Sequence, residues 1–264
     1  MDVLYFSIIL TFFCLPIDGE KSTKFKKTVE YLVQYGYLEK NSMSNSSLLS
    51  GTSFRNSLRE FQSFVGIPVT GKMDKPTMKM MSAPRCGVPD KSGKSNRVKR
   101  YTTDAVIWNM KHLTYKISKY SKQLKRNEID TTIQKASNLW SKYTDLTFEP
   151  SKRGKIDIRF EERQHGDGDA FHGELAHAFS PQDGGAIHFD DSKRWKIGFG
   201  PGYDLYQTAT HEFGHSLGLG HSKVKESVMW PYLPNTWKRD LHPDDIKGIQ
   251  ELYGKKTSCK CNSP

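Results

Sequence analysis

Residues 211–221 read His-Glu-Phe-Gly-His-Ser-Leu-Gly-Leu-Gly-His. On an α-helix, residues four apart share a face, so His211 and His215 can present their imidazoles to one ion. Gly218 permits the left-handed backbone that ends such a helix, and the chain then turns back to deliver His221. Three neutral imidazole nitrogens at about 2.0–2.1 Å from zinc leave a fourth tetrahedral position for water. Zinc lowers the pKa of that water to about 7, and Glu212, beside the first ligand, stands where it can take the proton. The same acid can later protonate a leaving amine. A single His-Glu-x-x-His would say far less. With the third histidine, the spacing points to a metal rather than to three unrelated core or surface histidines. Downstream, Ser227-Val228-Met229 can bring a methionine beneath the imidazoles, although Met229 alone would read as plain core.

Upstream, Leu113–Ile117 and Ile156–Phe160 alternate apolar and polar residues as strands do. Between them Ile129, Ile133, Ala136, Trp140 and Tyr143 keep helical spacing, with Asn127 as the N-cap. Strand, helix, strand predicts an α/β (α+β) domain with a partly parallel sheet. Pro243 opens a last helix whose inner face is Ile246, Ile249, Leu252 and Tyr253, and Gly254 ends it. The N-terminal third reads helical, through Phe25, Val29, Leu32 and Val33 and again through Phe54, Leu58, Phe61 and Phe64. Lys40 to Ser53 reads as an Asn/Ser-rich loop carrying the sequon Asn45-Ser46-Ser47, a glycan acceptor in the secretory pathway. Gly66 to Gly71 reads as a turn. Past Asp90 a Lys/Ser/Gly-rich run ends in Arg97-Val98-Lys99-Arg100, an exposed linker between two domains.

The chain has 264 residues, 36% hydrophobic and 26% charged, in the range of soluble globular proteins. Its net charge of +11 raises nucleic acid, anionic lipid or sulfated glycan as partners. No element alternates basic residues with aromatics as a single-strand binder would, so nucleic acid is set aside and the charge reads as solvated surface. Met1 to Ile17 is almost wholly apolar, too short for a bilayer span, and followed by Asp18-Gly19-Glu20. Despite its missing basic start, it reads as a signal peptide over residues 1–19, which makes the protein secreted. The cysteines, Cys14, Cys86, Cys259 and Cys261, form no disulfide framework. Cys14 leaves with the signal, Cys259 and Cys261 sit in a basic tail (255–264), and Cys86 is left unpaired.

HEFGHSLGLGH followed by SVM resembles the metzincin peptidases. Together with Pro84-Arg85-Cys86-Gly87-Val88-Pro89-Asp90, the chain is similar to the matrix metalloproteinases from about residue 25 to Gly254. Only KKTSCKCNSP follows, with no hemopexin-like propeller, so the likeness is to their minimal, matrilysin-like type. The resemblance implies a catalytic domain (101–254) with a five-stranded twisted sheet and three helices, preceded by a small helical propeptide (20–100). It implies a zymogen of an extracellular endopeptidase acting on matrix proteins such as collagen. In the precursor Cys86 would occupy the place meant for water, since thiolate binds zinc at about 2.3 Å, with Arg85 and Asp90 paired around it. Arg97–Arg100 resembles a furin-type site, so a convertase would cut after Arg100 and expose Tyr101, whose ammonium the family pairs with an aspartate at the position of Asp244.

Three imidazoles and one carboxylate without a nearby base fit a closed structural zinc site, and His165, Asp167, His177 and His188 match the family's second zinc position for position. Calcium is different. His172 and Lys193 stand where the family has acidic ligands, and Ala186-Ile187 where it has another; these changes argue against the usual calcium sites, leaving Asp183 or Asp191 as remaining carboxylates. Gln207, one turn before His211, occupies the position that sets pocket depth in the family. Tissue-inhibitor-type proteins, and sulfated glycan at Lys255, Lys256 and Lys260, are further partners to consider for a monomer. Two rival readings stay in view: a zinc-binding protein without activity, and a glycan-binding module, because the N-terminal helices resemble small peptidoglycan-binding domains.

Overall fold

The structure is a computed structural model and describes residues 19–39, 41, 50–91, 106–166, 170–233 and 240–257. The leader segment, Asn45, Arg100, Tyr101, Asp167, Cys259 and Cys261 lie outside the described residues. Among the described residues the N-terminal part is helical, as its periodicity predicts: α1 (Gly19–Gln34), α2 (Gly51–Phe64) and α3 (Lys75–Met81). Leu32, Leu58, Phe61 and Val65 are fully or almost fully buried between these helices. Phe25 is an exception to the expected inner face: it remains 38% exposed and only leans on Phe54. The loop expected to reach Ser53 ends earlier. Ser50 Oγ accepts the Ser53 N–H at 3.0 Å, a serine N-cap that starts α2 at Gly51.

The second part is built on a five-stranded sheet of order β2-β1-β3-β5-β4: β1 (His112–Lys119), β2 (Thr147–Pro150), β3 (Ile156–Glu161), β4 (Ala176–Ala178) and β5 (Ile187–Asp190). β1 runs parallel to β2 and β3, β3 parallel to β5, and β4 antiparallel to β5 at the edge. Parallel strands need a crossover, and α4 (Arg126–Ser141) supplies it between β1 and β2. The expected N-cap at Asn127 is displaced two residues. Glu128 Oε2 turns back to accept the Lys125 N–H at 3.3 Å, so Lys125 caps the helix and Asn127 falls in its first turn. A short ribbon, β6 (Trp195–Lys196) with β7 (Tyr203–Asp204), leads into α5 (Leu205–Ser216), and α6 (Pro243–Tyr253) closes the fold. No helix among the described residues is long and apolar enough to cross a membrane.

The core lies between the sheet, α4 and α5. Trp140 is fully buried and spends its indole N–H on Thr210 O of α5 at 3.1 Å. Met229 lies against the middle of α5: a Cβ on Gly214 would sit 2.2 Å from its Sδ and 3.1 Å from Trp140 Cζ2. Only a glycine lets the helix carrying His211 and His215 rest on that methionine. A second apolar cluster joins the two parts, because Trp230 and Tyr232 are buried among Leu32, Tyr35, Phe61 and Phe64, with Phe64 stacked on Trp230 at 6.2 Å.

Gly214→Ala therefore tests the contact that seats the helix. Alanine favours a helix interior by about 0.5–1 kcal/mol, but overpacking here costs about 1–3 kcal/mol, so the variant unfolds at lower denaturant. An unchanged or higher urea midpoint would show that Met229 moves aside freely.

Candidate metal centre

α5 is started by Asp204, whose Oδ1 accepts the Gln207 N–H at 3.0 Å. Its inner face carries His211, Glu212 and His215, none more than 4% exposed. The helix ends where the glycine pattern predicts, with Gly218 at φ +98°, and the chain returns His221 to the same point. His211 Nδ1 lies 2.6 Å from Val228 O, His215 Nδ1 2.7 Å from Leu219 O, and His221 Nδ1 2.8 Å from Asp90 Oδ1. Each of those oxygens can only accept, so each Nδ1 carries the proton and each Nε2 keeps its lone pair. The three Nε2 atoms converge, with His215 Nε2 3.1 Å from both others. Lone pairs do not bond one another. Tetrahedral ligands of zinc at about 2.0–2.1 Å stand roughly 3.3 Å apart, so the spacing fits one ion.

Burial, and for His211 and His215 the neighbouring imidazoles, hold the histidines in the neutral form that binds metal; His211 is brought down to about 3. Glu212 is fully buried, which pushes its carboxyl up to about 8, and its Oε1 has no hydrogen-bond partner among the described residues. An orphaned carboxylate oxygen beside three convergent nitrogens fits a water and a cation as its missing partners. Cys86 Sγ completes the set: it lies within 4.8 Å of the three imidazole ligand atoms and 3.6 Å from Glu212 Oε2. Burial, then the Glu212 charge, push its thiol up, and a divalent cation among these ligands would invert that balance.

The loop that carries Cys86 is held by a buried pair. Arg85 Nη1 bonds Asp90 Oδ2 at 3.1 Å, Nη2 bonds Oδ1, and the guanidinium lies 3.6 Å over the Tyr35 ring. Tyr37 donates to Asp90 Oδ2 at 2.8 Å. Burial alone would raise Asp90, but Arg85 and His221 outweigh it and hold the carboxyl down at about 2. The Asp90 contact with His221 was not foreseen from the sequence. The salt bridge that anchors the loop also orients one of the three convergent imidazoles. Asp245 was missed too. Buried at 2% exposure, it accepts N–H bonds from Val228, Met229 and His242 at 2.9–3.1 Å and an O–H bond from Ser227, and so fixes the turn whose Val228 carbonyl orients His211. Its only signal was a second acid in the first turn of the Pro243 helix.

A second cluster lies at the sheet edge, where antiparallel pairing sets His177 of β4 opposite His188 of β5. His165 Nε2 and His177 Nε2 each lie 3.2 Å from His188 Nδ1. The three are brought together as a metal-ligand group, while Asp167 is outside the described residues. Lys193 Nζ lies 3.4 Å from Asp190 Oδ2, Asp183 accepts from Ser180, and Asp191 from Gln123. Gln207 is 7% exposed on the face of α5 that carries His211. Asp244 accepts from Ser222 Oγ at 2.6 Å.

Residues 107–254 match the matrixin peptidase family, and residues 21–81 match a peptidoglycan-binding-domain family. The chain is 38% identical to human matrilysin over 235 residues, covering 85% of each. It is 39% identical to stromelysin-2 of Rattus norvegicus over 87% of this chain, and 43% identical to interstitial collagenase of Oryctolagus cuniculus over 75%. It spans 49% and 42% of the lengths of those two relatives, less than half of each.

Because partners of a ligating histidine typically govern metal affinity by about 10–100-fold, Asp90→Asn should release metal from the unprocessed chain to a chelator faster by that order. Release at the unaltered rate would mean that the Asp90–His221 bond does not support the site.

Proposed function

The chain belongs to the matrixin family, and we propose that it is a secreted zinc endopeptidase made as a zymogen, cutting extracellular proteins. The observation that carries this is the convergence of three proton-fixed imidazoles, an orphaned glutamate oxygen and a buried cysteine at one point. In this reading residues 1–19 are the signal peptide, 20–100 the inhibitory propeptide, 101–254 the catalytic domain and 255–264 a basic tail. His211, His215 and His221 hold the zinc, whose chemistry when bound is Lewis acidity toward a water and the scissile carbonyl. Glu212 takes the proton of the attacking water and hands it to the amine nitrogen as the C–N bond breaks. His165, Asp167, His177 and His188 hold a structural zinc. The glycan-module reading of the N-terminal helices is less well supported, since their apolar face is covered by Trp230 and Tyr232 and their cysteine reaches the metal ligands. The inactive zinc-protein reading leaves Glu212 without a purpose.

Glu212→Ala should keep two zinc ions per chain by metal analysis and lose a proton-transfer contribution of about 100- to 10,000-fold in turnover of a quenched peptide. Near-normal turnover would refute the mechanism.

Latency is tested separately. The full chain should be inert toward the peptide until a furin-type convertase cuts after Arg100, and Arg100→Ala should stay inert. Cys86→Ser should be active uncut. If the serine variant binds zinc and stays silent, Cys86 is not the latch.

Gln207 bears on substrate choice. Its buried amide stands one turn from His211, so it should disfavour long apolar side chains in the adjoining pocket. Gln207→Leu should shift cleavage of a peptide library toward longer aliphatic residues; an unchanged profile would remove Gln207 from the pocket.

A further inference from the structure

Glu174 belongs to neither metal-ligand group and lies off the proposed proton path, yet it is a buried carboxylate, 4% exposed, just before edge strand β4. What covers it belongs to the N-terminal part. A Cβ on Gly87 would lie 2.9 Å from Glu174 Cγ and 3.4 Å from its Cδ, so the bare glycine backbone rests on this side chain. Its hydrogen bond is the His172 N–H to Oε2 at 2.8 Å, and among the described residues no lysine or arginine pairs with it. An acid buried without a cation is costly, and a partner arriving from outside would relieve that cost.

The latch shows where that partner would come. Arg85 O accepts from Leu175 N at 2.9 Å, Gly87 N donates to Ala176 O at 2.8 Å, and Cys86 N donates to Pro231 O at 2.9 Å. Residues 85–87 thus lie between the Leu175–Ala176 segment that enters edge strand β4 and the 231–232 segment, with Cys86 beside the three imidazoles. A substrate backbone following this path, with its scissile bond at the metal, would place a side chain where Gly87 has none. We propose that Glu174, uncovered when the propeptide leaves, selects substrates with lysine or arginine beside the scissile bond. The inference rests on the peptidase reading above and names the substrate class for that site. Glycine at position 87 fits it: the latch fills the cleft without occupying the acid, which is left for the substrate.

The test uses the full chain processed after Arg100 and peptides that differ only in Lys, Gln or Glu at each residue flanking the cut bond. The processed wild type should favour Lys over Glu in kcat/KM by about tenfold or more, the scale of a hydrogen bond to a charged group, and less so at high salt. Glu174→Gln keeps an oxygen for the His172 N–H and removes the charge, so the ratio should fall to near one, while Glu174→Lys should reverse it. A ratio unchanged between wild type and Glu174→Gln overturns the assignment. If the processed wild type cuts no peptide, the peptidase reading fails by itself. Binding of the same peptides to the processed Glu212→Ala chain then decides: tighter Lys binding that Glu174→Gln abolishes sustains the acid's role, and equal binding ends it.

Discussion

Three imidazoles cannot be packed with their Nε2 lone pairs facing one another unless something positive stands between them. Here that arrangement is enforced from behind. The carbonyls of Val228 and Leu219 and the carboxylate of Asp90 each take an Nδ1 proton, which leaves the three Nε2 lone pairs facing inward. Much of the surrounding structure exists to keep those three oxygens in place. Asp245 grips the 227–229 turn so that Val228 O meets His211, and the chain reversal at Gly218 sets Leu219 O against His215 and brings back His221. Gly214 lets Met229 lie under the helix that carries two of the rings. The site is a preorganised cation hole, and the sheet, α4 and α5 are its frame.

The third oxygen comes from the other part of the molecule, which changes how latency is understood. Arg85 and Asp90 are buried together, and a buried ion pair is weak evidence for net stability because desolvation opposes the attraction. Its effect here is geometric. The same carboxylate binds Arg85, Tyr37 and His221, so the loop that presents Cys86 is tied to one of the three convergent imidazoles. Docking strength comes from elsewhere: Trp230 and Tyr232 are covered by Phe64, Tyr31 and their neighbours, and burying such rings contributes about 1.5–3 kcal/mol each. The two parts are therefore held together by aromatic packing, while the polar pair sets where Cys86 stands.

Much of this was legible in the residues. Period-two alternation at Leu113–Ile117 and Ile156–Phe160 marked two central strands because one face of each is buried, and the helix between them predicted their parallel pairing. β2, β4 and β5 were not legible, since strands of three or four residues are too short to show a period. The cap at Lys125 was misread as Asn127 because capping residues are chosen by which side chain turns back, and Glu128 did. Ser50 was hidden in a run rich in serine and asparagine, several of which could have capped.

For the site, the division follows the range of the forces. His211, Glu212, His215 and Gly218 were determined by sequence alone, because one helix turn and one positive φ are local geometry that spacing encodes. Cys86, Arg85 and Asp90 could be singled out as a motif, but spacing does not encode that Asp90 reaches His221 across 131 positions of chain. Nor does it encode that Glu174 lies beneath Gly87, or that His177 faces His188 across two strands. Those are contacts between elements, set by how α1–α3 pack on Trp230 and Tyr232, how the 85–87 loop meets the sheet edge, and by strand register. Only the folded packing decides them, because burial removes the water that would otherwise satisfy each charge and leaves a single partner for it.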